Sequence, residues 1–228
     1  MSKNERLEQL RRLIDESGYL SIHTLVQKTY TSPSTVRRDL AQLEQQGEIR
    51  RRHGGAESLR TAQPPLSLRQ QSNPAAKEAA ARQAAARVTP GSTIFLDDST
   101  TALRMVPHLA GIEGLTVYTN GADTALQLAE AGVRVICTGG QLSAGLRAYT
   151  GPVAEAAVRR VRFDAMFFSA AGFDEQYITD WNEAETALRR AVMEQSRRRY
   201  FLADRSKEGQ EYSQILCRIS DPDGIIIE

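Results

Sequence analysis

Arg37 and Arg38 stand side by side in the run Ser32-Pro33-Ser34-Thr35-Val36-Arg37-Arg38-Asp39-Leu40. A guanidinium group can grip guanine O6 and N7 with two bonds at once, and a helix fits the major groove that displays them. Ser32-Pro33 is a helix start, a capping residue followed by proline at the first helical position. Val36, Leu40 and Leu43, spaced four and three apart, then share one face, while Ser34, Arg37 and Arg38 point together on the other. Hydroxyls of Ser32, Ser34 and Thr35 at the start of that helix are placed to reach phosphates or base edges. After Gly47, the stretch Glu48-Ile49-Arg50-Arg51-Arg52-His53 reads as an extended wing. Alternation sends Arg50 and Arg52 to one face and Ile49 and Arg51 to the other, with Gly54-Gly55 as the turn. The predicted DNA-facing set is Ser32, Ser34, Thr35, Arg37, Arg38, Arg50, Arg52 and His53. The bland alternative is a solvated helix whose arginines pair with Asp39 or Glu44. Two capped helices, the Ser-Pro start, the arginine pair and the basic wing together outweigh it.

A second group of residues recurs at the exits of apolar runs. Asp97-Asp98-Ser99-Thr100-Thr101 follows the first, Thr119-Asn120-Gly121 the second and Thr138-Gly139-Gly140 the third. Ala171-Gly172-Phe173-Asp174 and Asp204-Arg205-Ser206-Lys207 follow the fourth and fifth. If those runs are strands of one parallel sheet, small, hydroxylic and charged side chains gather at its carboxyl edge, where open α/β sheets bind ligands. The pattern predicts a pocket for a small, polar, anionic molecule. Ser99, Thr100 and Thr101, with the N–H groups of a following helix, suit a phosphate. Asp97 or Asp98 suits sugar hydroxyls, and Lys207 supplies a positive charge. Thr119, Asn120, Gly139, Gly140 and Gly172 complete the predicted effector site. Taken singly, each has a plain structural reading: a helix cap for the hydroxyl run, a turn for Gly139-Gly140, a surface ion pair for Lys207. Their convergence carries the argument.

The elements that must position these groups follow from periodicity. Leu7, Leu10, Leu13 and Ile14 predict an amphipathic helix over residues 4–17, stopped by Gly18. Ser21 caps a second helix burying Ile22, Leu25 and Val26, and Thr29-Tyr30-Thr31 forms the turn to the third. Residues 1–58 are therefore read as a small helical domain with a wing, and residues 59–73, with Pro-Pro and no periodicity, as a linker. From Asn73-Pro74 an alanine-rich helix leads into alternating strands (93–96, 115–118, 134–137, 165–170, 199–203, 225–227) and helices (101–110, 121–131, 152–161, 180–196). That alternation predicts an α/β domain over residues 74–228, a doubly wound, mainly parallel sheet covered on both faces.

Composition bounds the rest. The 228 residues are 41% hydrophobic and 25% charged, ordinary for a globular protein of one small and one larger domain. Residues 1–60 hold eleven Lys/Arg against eight Asp/Glu, a local +3 in a chain whose net charge is only +1. Nucleic-acid affinity must then come from a patch, not from a basic surface overall. No apolar run spans a bilayer, and the first ten residues lack a signal peptide's apolar core, so a cytoplasmic protein without membrane partner is expected. Cys137 and Cys217 read as buried, reduced thiols, and no metal or cofactor is expected. His23 and His108 lack ligand spacing; Trp181 reads as a surface or interface residue in preference to a sugar platform. Asp180, Glu183 and Glu185 read as acids charging a helix N-terminus.

The run Ser34-Thr35-Val36-Arg37-Arg38-Asp39-Leu40, with Leu43, Gly47 and Arg52-His53-Gly54-Gly55-Ala56, closely resembles the N-terminal signature of the DeoR family. Those proteins are bacterial repressors of carbohydrate operons with a winged helix-turn-helix. Further on, Leu96-Asp97-Asp98-Ser99-Thr100-Thr101, Thr119-Asn120, Gly139-Gly140, Arg162-Phe163-Asp164, Ala171-Gly172, Glu185 with Arg190-Ala191, and Leu202 to Lys207 resemble the family's sensor domain. That domain is similar in fold to ribose-5-phosphate isomerase and glucosamine-6-phosphate deaminase. The resemblance implies a sequence-specific regulator, a repressor controlled by a phosphorylated sugar or related metabolite, binding double-stranded operator DNA as a homo-oligomer (dimer or tetramer). Four departures stand out: Ser99 where glycine is frequent, Arg189 in place of lysine before Arg190, Arg205 where a small residue is common, and an end at Glu228 where members continue through another helix and strand. A sugar-phosphate isomerase or deaminase is the rival reading. It would need the Asp-Gly-Ala-Asp-Glu run and glycine-rich lysine loop of the isomerases, and Ser169-Ala170-Ala171-Gly172-Phe173-Asp174 stands in the comparable stretch. A third reading is a DNA-binding protein with a vestigial pocket.

Overall fold

Leu7, Leu10 and Ile14 bury one stripe of a first helix, α1 (Lys3–Ser17), against Leu25 of α2 (Ile22–Thr29) and Val36, Leu40 and Leu43 of α3 (Pro33–Gln45). The structure, a computed structural model, describes residues 3–17, 19–52, 54–58, 64 and 66–228, without the side chains of residues 16, 17, 19 and 52. Both predicted caps form: Ser21 Oγ accepts the Thr24 amide at 3.1 Å, and Ser32 Oγ accepts the Thr35 amide at 3.2 Å. Gly47, at φ 71°, ends α3 while the amides of Gly47 and Glu48 donate back to the carbonyls of Glu44 and Leu43. A three-stranded antiparallel sheet closes this unit, with β3 (Gly55–Ser58) between β1 (Tyr19–Ser21) and β2 (Ile49–Arg52). The β2–β3 hairpin is the wing, with Arg50 directly opposite Glu57. Gly54 takes the turn at φ 81°, and Gly55 already belongs to β3. Gly18 and His53 lie outside the described residues.

The chain divides into two compact units, residues 1–68 and 69–228, at a short helix α4 (Leu66–Gln71). The stretch 59–73, read from sequence as lacking periodicity, thus contains helix after all; six residues are too few to show a repeat.

In the larger unit, α5 (Pro74–Ala85) precedes β4 (Thr93–Leu96), the short α6 (Thr100–Leu103) and α7 (Val106–Leu109), β5 (Thr116–Thr119), α8 (Ala122–Glu130) and β6 (Arg134–Cys137). A hairpin, β7 (Gln141–Ser143) and β8 (Ala148–Thr150), leads to α9 (Pro152–Val158) and β9 (Ala165–Phe168). Then come β10 (Gly172–Phe173), β11 (Tyr177–Asp180), α10 (Glu183–Gln195), β12 (Arg199–Ala203), a 3-10 turn (Arg205–Lys207), β13 (Gln214–Arg218) and β14 (Gly224–Ile227). Six strands form one parallel sheet in the order β14-β12-β9-β4-β5-β6. Ile94 and Leu96 send their side chains to a core containing α5 to α8, whereas Phe95 between them joins the core with α9 and α10. The fold is therefore α/β and doubly wound, as the alternating pattern predicts. The antiparallel additions β7–β8 and β10–β11–β13 are not visible in that pattern.

Strand order decides where a ligand belongs. From β4 the chain steps outward through β5 and β6, then returns to lay β9 on the other side of β4 before continuing to β12 and β14. The direction of winding reverses between β4 and β9, and a crevice opens at the carboxyl ends of strands on either side of such a switch. Asp97 and Ser169 mark those two ends.

Candidate functional site

In the smaller unit, the exposed surface of α3 carries Ser34, Arg37 and Arg38. Neither arginine makes a hydrogen bond or ion pair with a described residue. The two acids beside them on the same helix, Asp39 and Glu44, are occupied elsewhere. Buried Asp39 binds the Arg6 guanidinium through two bonds, Nε to Oδ2 at 2.5 Å and Nη2 to Oδ1 at 3.2 Å. Glu44 accepts the Arg51 amide at 2.8 Å and its Nε at 2.6 Å, and this donation holds the Glu44 carboxyl below the ordinary range. Arg6–Asp39 ties α3 to α1 and fixes which side of α3 faces outward. Ser32 Oγ lies 2.9 Å from both Ser34 Oγ and Thr35 Oγ1, a hydroxyl cluster at the helix start. On the wing, Arg50 is exposed, 3.7 Å from Glu57, while Arg51 turns back to α3. Arg52 lies on β2, and His53 falls outside the described residues.

At the switch-point crevice, Arg189 of α10 is fully enclosed by carboxyl groups. Its Nε donates to Asp97 Oδ2 at 3.0 Å, Nη1 to Asp180 Oδ2 at 2.9 Å and Nη2 to Asp98 Oδ1 at 3.1 Å. Glu185 Oε1, one turn earlier, is 3.9 Å from Nη2. All five side chains are buried. One guanidinium cannot neutralise four carboxylates, so protons must remain on some of them. Burial and the neighbouring Asp98 charge push Glu185 well above the carboxyl range, against the pull of Arg189. Burial works the same way on Asp98, yet Arg189 and a hydrogen bond from the Glu185 carboxyl outweigh it and hold Asp98 below its ordinary value. Burial raises Asp97 and Asp180 as well, Arg189 opposing in each case. The knot thus keeps its guanidinium charged and a proton on Glu185.

This arrangement gives several predicted site residues other occupations. Asp97 accepts the amides of Ser99 and Ser169, each at 3.0 Å, besides holding Arg189, so its oxygens stitch β4 to β9. Asp98 takes Asn120 Nδ2 at 3.1 Å, and Thr119 Oγ1 accepts the Gly121 amide at 3.0 Å. Ser99 Oγ caps α6 through the Ala102 amide at 3.1 Å. Gly140 and Gly172 are set by close packing: a Cβ at Gly140 would lie 2.7 Å from the Thr150 carbonyl oxygen, and at Gly172 2.0 Å from that of Gln210. Gly139 is in the left-handed region with open space around it. Asp180 and Glu185 belong to the buried knot, and Glu185, with Glu183, also lies in the first turn of α10, as the sequence suggests. Trp181 rests against Tyr212, ring centroids 3.9 Å apart, and His108 Nε2 meets Glu78 at 2.7 Å.

Beside the knot lies a second cluster, of opposite sign. Lys207 donates to Ser169 Oγ at 2.8 Å and the Ala170 carbonyl at 2.7 Å, which leaves one ammonium proton over. Buried Lys77 donates to the Arg69 carbonyl, which also accepts from Thr100 Oγ1 at 3.4 Å. The Arg69 side chain places Nε and Nη2 out of solvent with no partner among the described residues, and Thr101 Oγ1 is likewise buried and alone. Asp204 is the acid whose charge opposes this crowding at both lysines; it and Ser206 accept from Asn73 Nδ2 at 2.7 and 2.8 Å. Burial, then Lys207, Arg69 and Arg104, bring Lys77 down to about 8 despite Asp204, and burial lowers Lys207 too. Lys77 is buried and Lys207 and Arg69 are half-buried, and cations that repel one another in such a recess, next to free donors, make a receptor for an anion. Sequence reasoning found Lys207 and the hydroxyls but missed Arg69 and Lys77; eight residues apart and more than a hundred from Lys207, they carry no local signal. Among the described residues there is no metal-binding cluster, and no helix long and apolar enough to cross a membrane.

A winged helix-turn-helix with an unneutralised arginine pair, in one chain with a doubly wound α/β unit, defines a DNA-binding regulator. Comparison with known proteins agrees. Residues 6–62 match the DeoR-like helix-turn-helix domain and residues 72–228 the DeoR C terminal sensor domain. The chain belongs to the DeoR family of DNA-binding transcriptional regulators, and its role is regulatory, not enzymatic. It is 32% identical to the transcriptional repressor AccR of Agrobacterium fabrum over 99% of this chain and 89% of that one. It is 34% identical to the regulator GolR of Listeria innocua, over 90% and 82%. The lactose phosphotransferase system repressor of Staphylococcus aureus is 29% identical over 100% and 93%. Among solved structures, ribose 5-phosphate isomerase A of Methanocaldococcus jannaschii aligns with a TM-score of 0.45 at 15% identity, over 60% of this chain and 55% of that one.

Arg189→Met should cost roughly 3–5 kcal/mol in chemical denaturation, because buried carboxylates lose their counter-charge. Glu185→Gln should be tolerated and should flatten the pH dependence of stability. The folded state keeps a proton that the unfolded chain has released, so in the parent chain stability falls as pH climbs from the ordinary carboxyl value through the raised one. Asp39→Ala should lower both Tm and duplex affinity, as Arg6 loses its partner and α3 its tether.

Proposed function

We propose that this chain is a cytoplasmic repressor of a carbohydrate-utilisation operon, and that a phosphorylated sugar or related metabolite in the switch-point crevice governs its hold on operator DNA. One observation carries the reading: Arg69, Lys77 and Lys207 converge beside Thr100 and Thr101 with two guanidinium nitrogens buried and unpartnered. A phosphate brings the charge and the acceptors that such a recess lacks. The relatives named as repressors, one of them of a lactose phosphotransferase system, support the direction of control and the metabolic setting. One winged module offers limited contact with DNA, so a homo-oligomer, a dimer or tetramer, reading a repeated or palindromic site is part of the proposal. For the switch to work, the metabolite must bind the DNA-free arrangement more tightly than the DNA-bound one, or no equilibrium moves.

Sequencing the fragments that the full chain retains from random duplex DNA, with and without a panel of sugar phosphates, tests both halves. A shared motif that one compound releases is the expected result; retention without sequence preference overturns the proposal. Arg37→Ala and Arg38→Ala should each cost roughly 1–3 kcal/mol on the selected site and relax base preference there. Arg50→Ala should weaken binding to all sequences alike and flatten its salt dependence. The releasing compound should also raise the Tm of the parent chain, because a ligand bound only by the native state stabilises it. Lys207→Met should abolish that rise; a panel with no effect on Tm would favour a vestigial pocket.

A further inference from the structure

The turn between α2 and α3 holds a residue that the fold itself does not explain. Tyr30 adopts φ 52° and ψ 36°, the left-handed region, where a side chain is strained and glycine is not. Its side chain is 95% exposed, so no packing offsets that strain. The turn does not need the ring: Thr29 Oγ1 already closes it, bonded to the Leu25 carbonyl and Thr31 Oγ1, each at 2.7 Å. A fully exposed aromatic in a strained conformation adds nothing to the stability of this unit.

Position and charge say what it can meet. Tyr30 lies two residues before Ser32, the cap of α3, between exposed Lys28 and the surface bearing Ser34, Arg37 and Arg38. From Ser17 to Arg38 the sequence contains no aspartate or glutamate, while Lys28, Arg37 and Arg38 are cationic. An acid-free, cationic surface fits the rim of a DNA groove, which is lined by phosphates, and a phenol hydroxyl is a neutral donor suited to a phosphate oxygen. The geometry points to Tyr30 as a DNA-backbone contact, its hydroxyl donating to a phosphate beside the groove that α3 enters. The contact fixes orientation on the duplex and is blind to sequence.

The test exploits a difference in sign between stability and binding. In the full chain, Tyr30→Gly relieves the left-handed strain, so Tm should hold or rise, while affinity for a duplex pool of random sequence at low salt falls about tenfold, the scale of a hydrogen bond to a charged group. Tyr30→Phe keeps the ring and the strain but loses the donor, and should show the same loss of affinity. Undiminished DNA affinity in Tyr30→Gly overturns the assignment. So does full affinity in Tyr30→Phe, which would remove the hydroxyl from the contact. A change in subunit number without a change in DNA affinity would make the ring a protein–protein contact and equally overturn it.

Discussion

Everything in the larger unit is arranged around a charge taken out of water. Arg189 gathers Asp97 and Asp98 from the end of β4, Asp180 from the end of β11 and Glu185 from its own helix, so three chain segments meet at one guanidinium. Five donors spread over three nitrogens of a rigid fork make this possible, each nitrogen meeting a different carboxylate; the three donors of a lysine all radiate from one nitrogen. Arg189 is therefore the residue that holds the crevice together.

The knot also explains why the neighbouring cations are useful. Asp97 and Asp98, which the sequence suggests for a ligand, are committed to Arg189 and to the backbone of β9, and so cannot fully neutralise Lys207, Lys77 and Arg69. Acid and base are segregated within a few residues of the same strand end. One cluster is drawn together by its guanidinium, the other crowded and short of counter-charge. The smaller unit repeats the device with other residues. Asp39 and Glu44 are spent on Arg6 and Arg51, and as a result Arg37 and Arg38 reach the surface unpaired. In both units, the acid nearest to the functional cations is bonded elsewhere.

What the sequence disclosed follows the same division between local and long-range order. The strands Thr93–Leu96, Arg134–Cys137 and Arg199–Ala203 are legible to the residue, because short apolar runs with β-branched or aromatic residues end abruptly at polar positions. The caps Ser21 and Ser32 are legible for a similar reason, since capping depends on neighbours three residues away. The strands β10, β11 and β13 escape notice: β10 has only two residues, and β11 finds its partner β13 more than thirty residues away. Likewise nothing near Asp39 announces Arg6, and nothing near Gly172 announces that the Gln210 backbone passes over it. The exits of the strands could be read as a pocket, but the partition of that pocket into an acid knot and a cationic recess depends on side-chain geometry that spacing does not encode.

The central claim is that mutually repelling cations are held together in the crevice, Lys77 among them fully buried, for an anion to neutralise. The ionisation of Lys77, followed by NMR of its ammonium group in the full chain, tests this most directly. The account predicts a midpoint near 8 in the free protein, displaced upward when the releasing sugar phosphate is bound. A midpoint at the ordinary lysine value, indifferent to that compound, would contradict it.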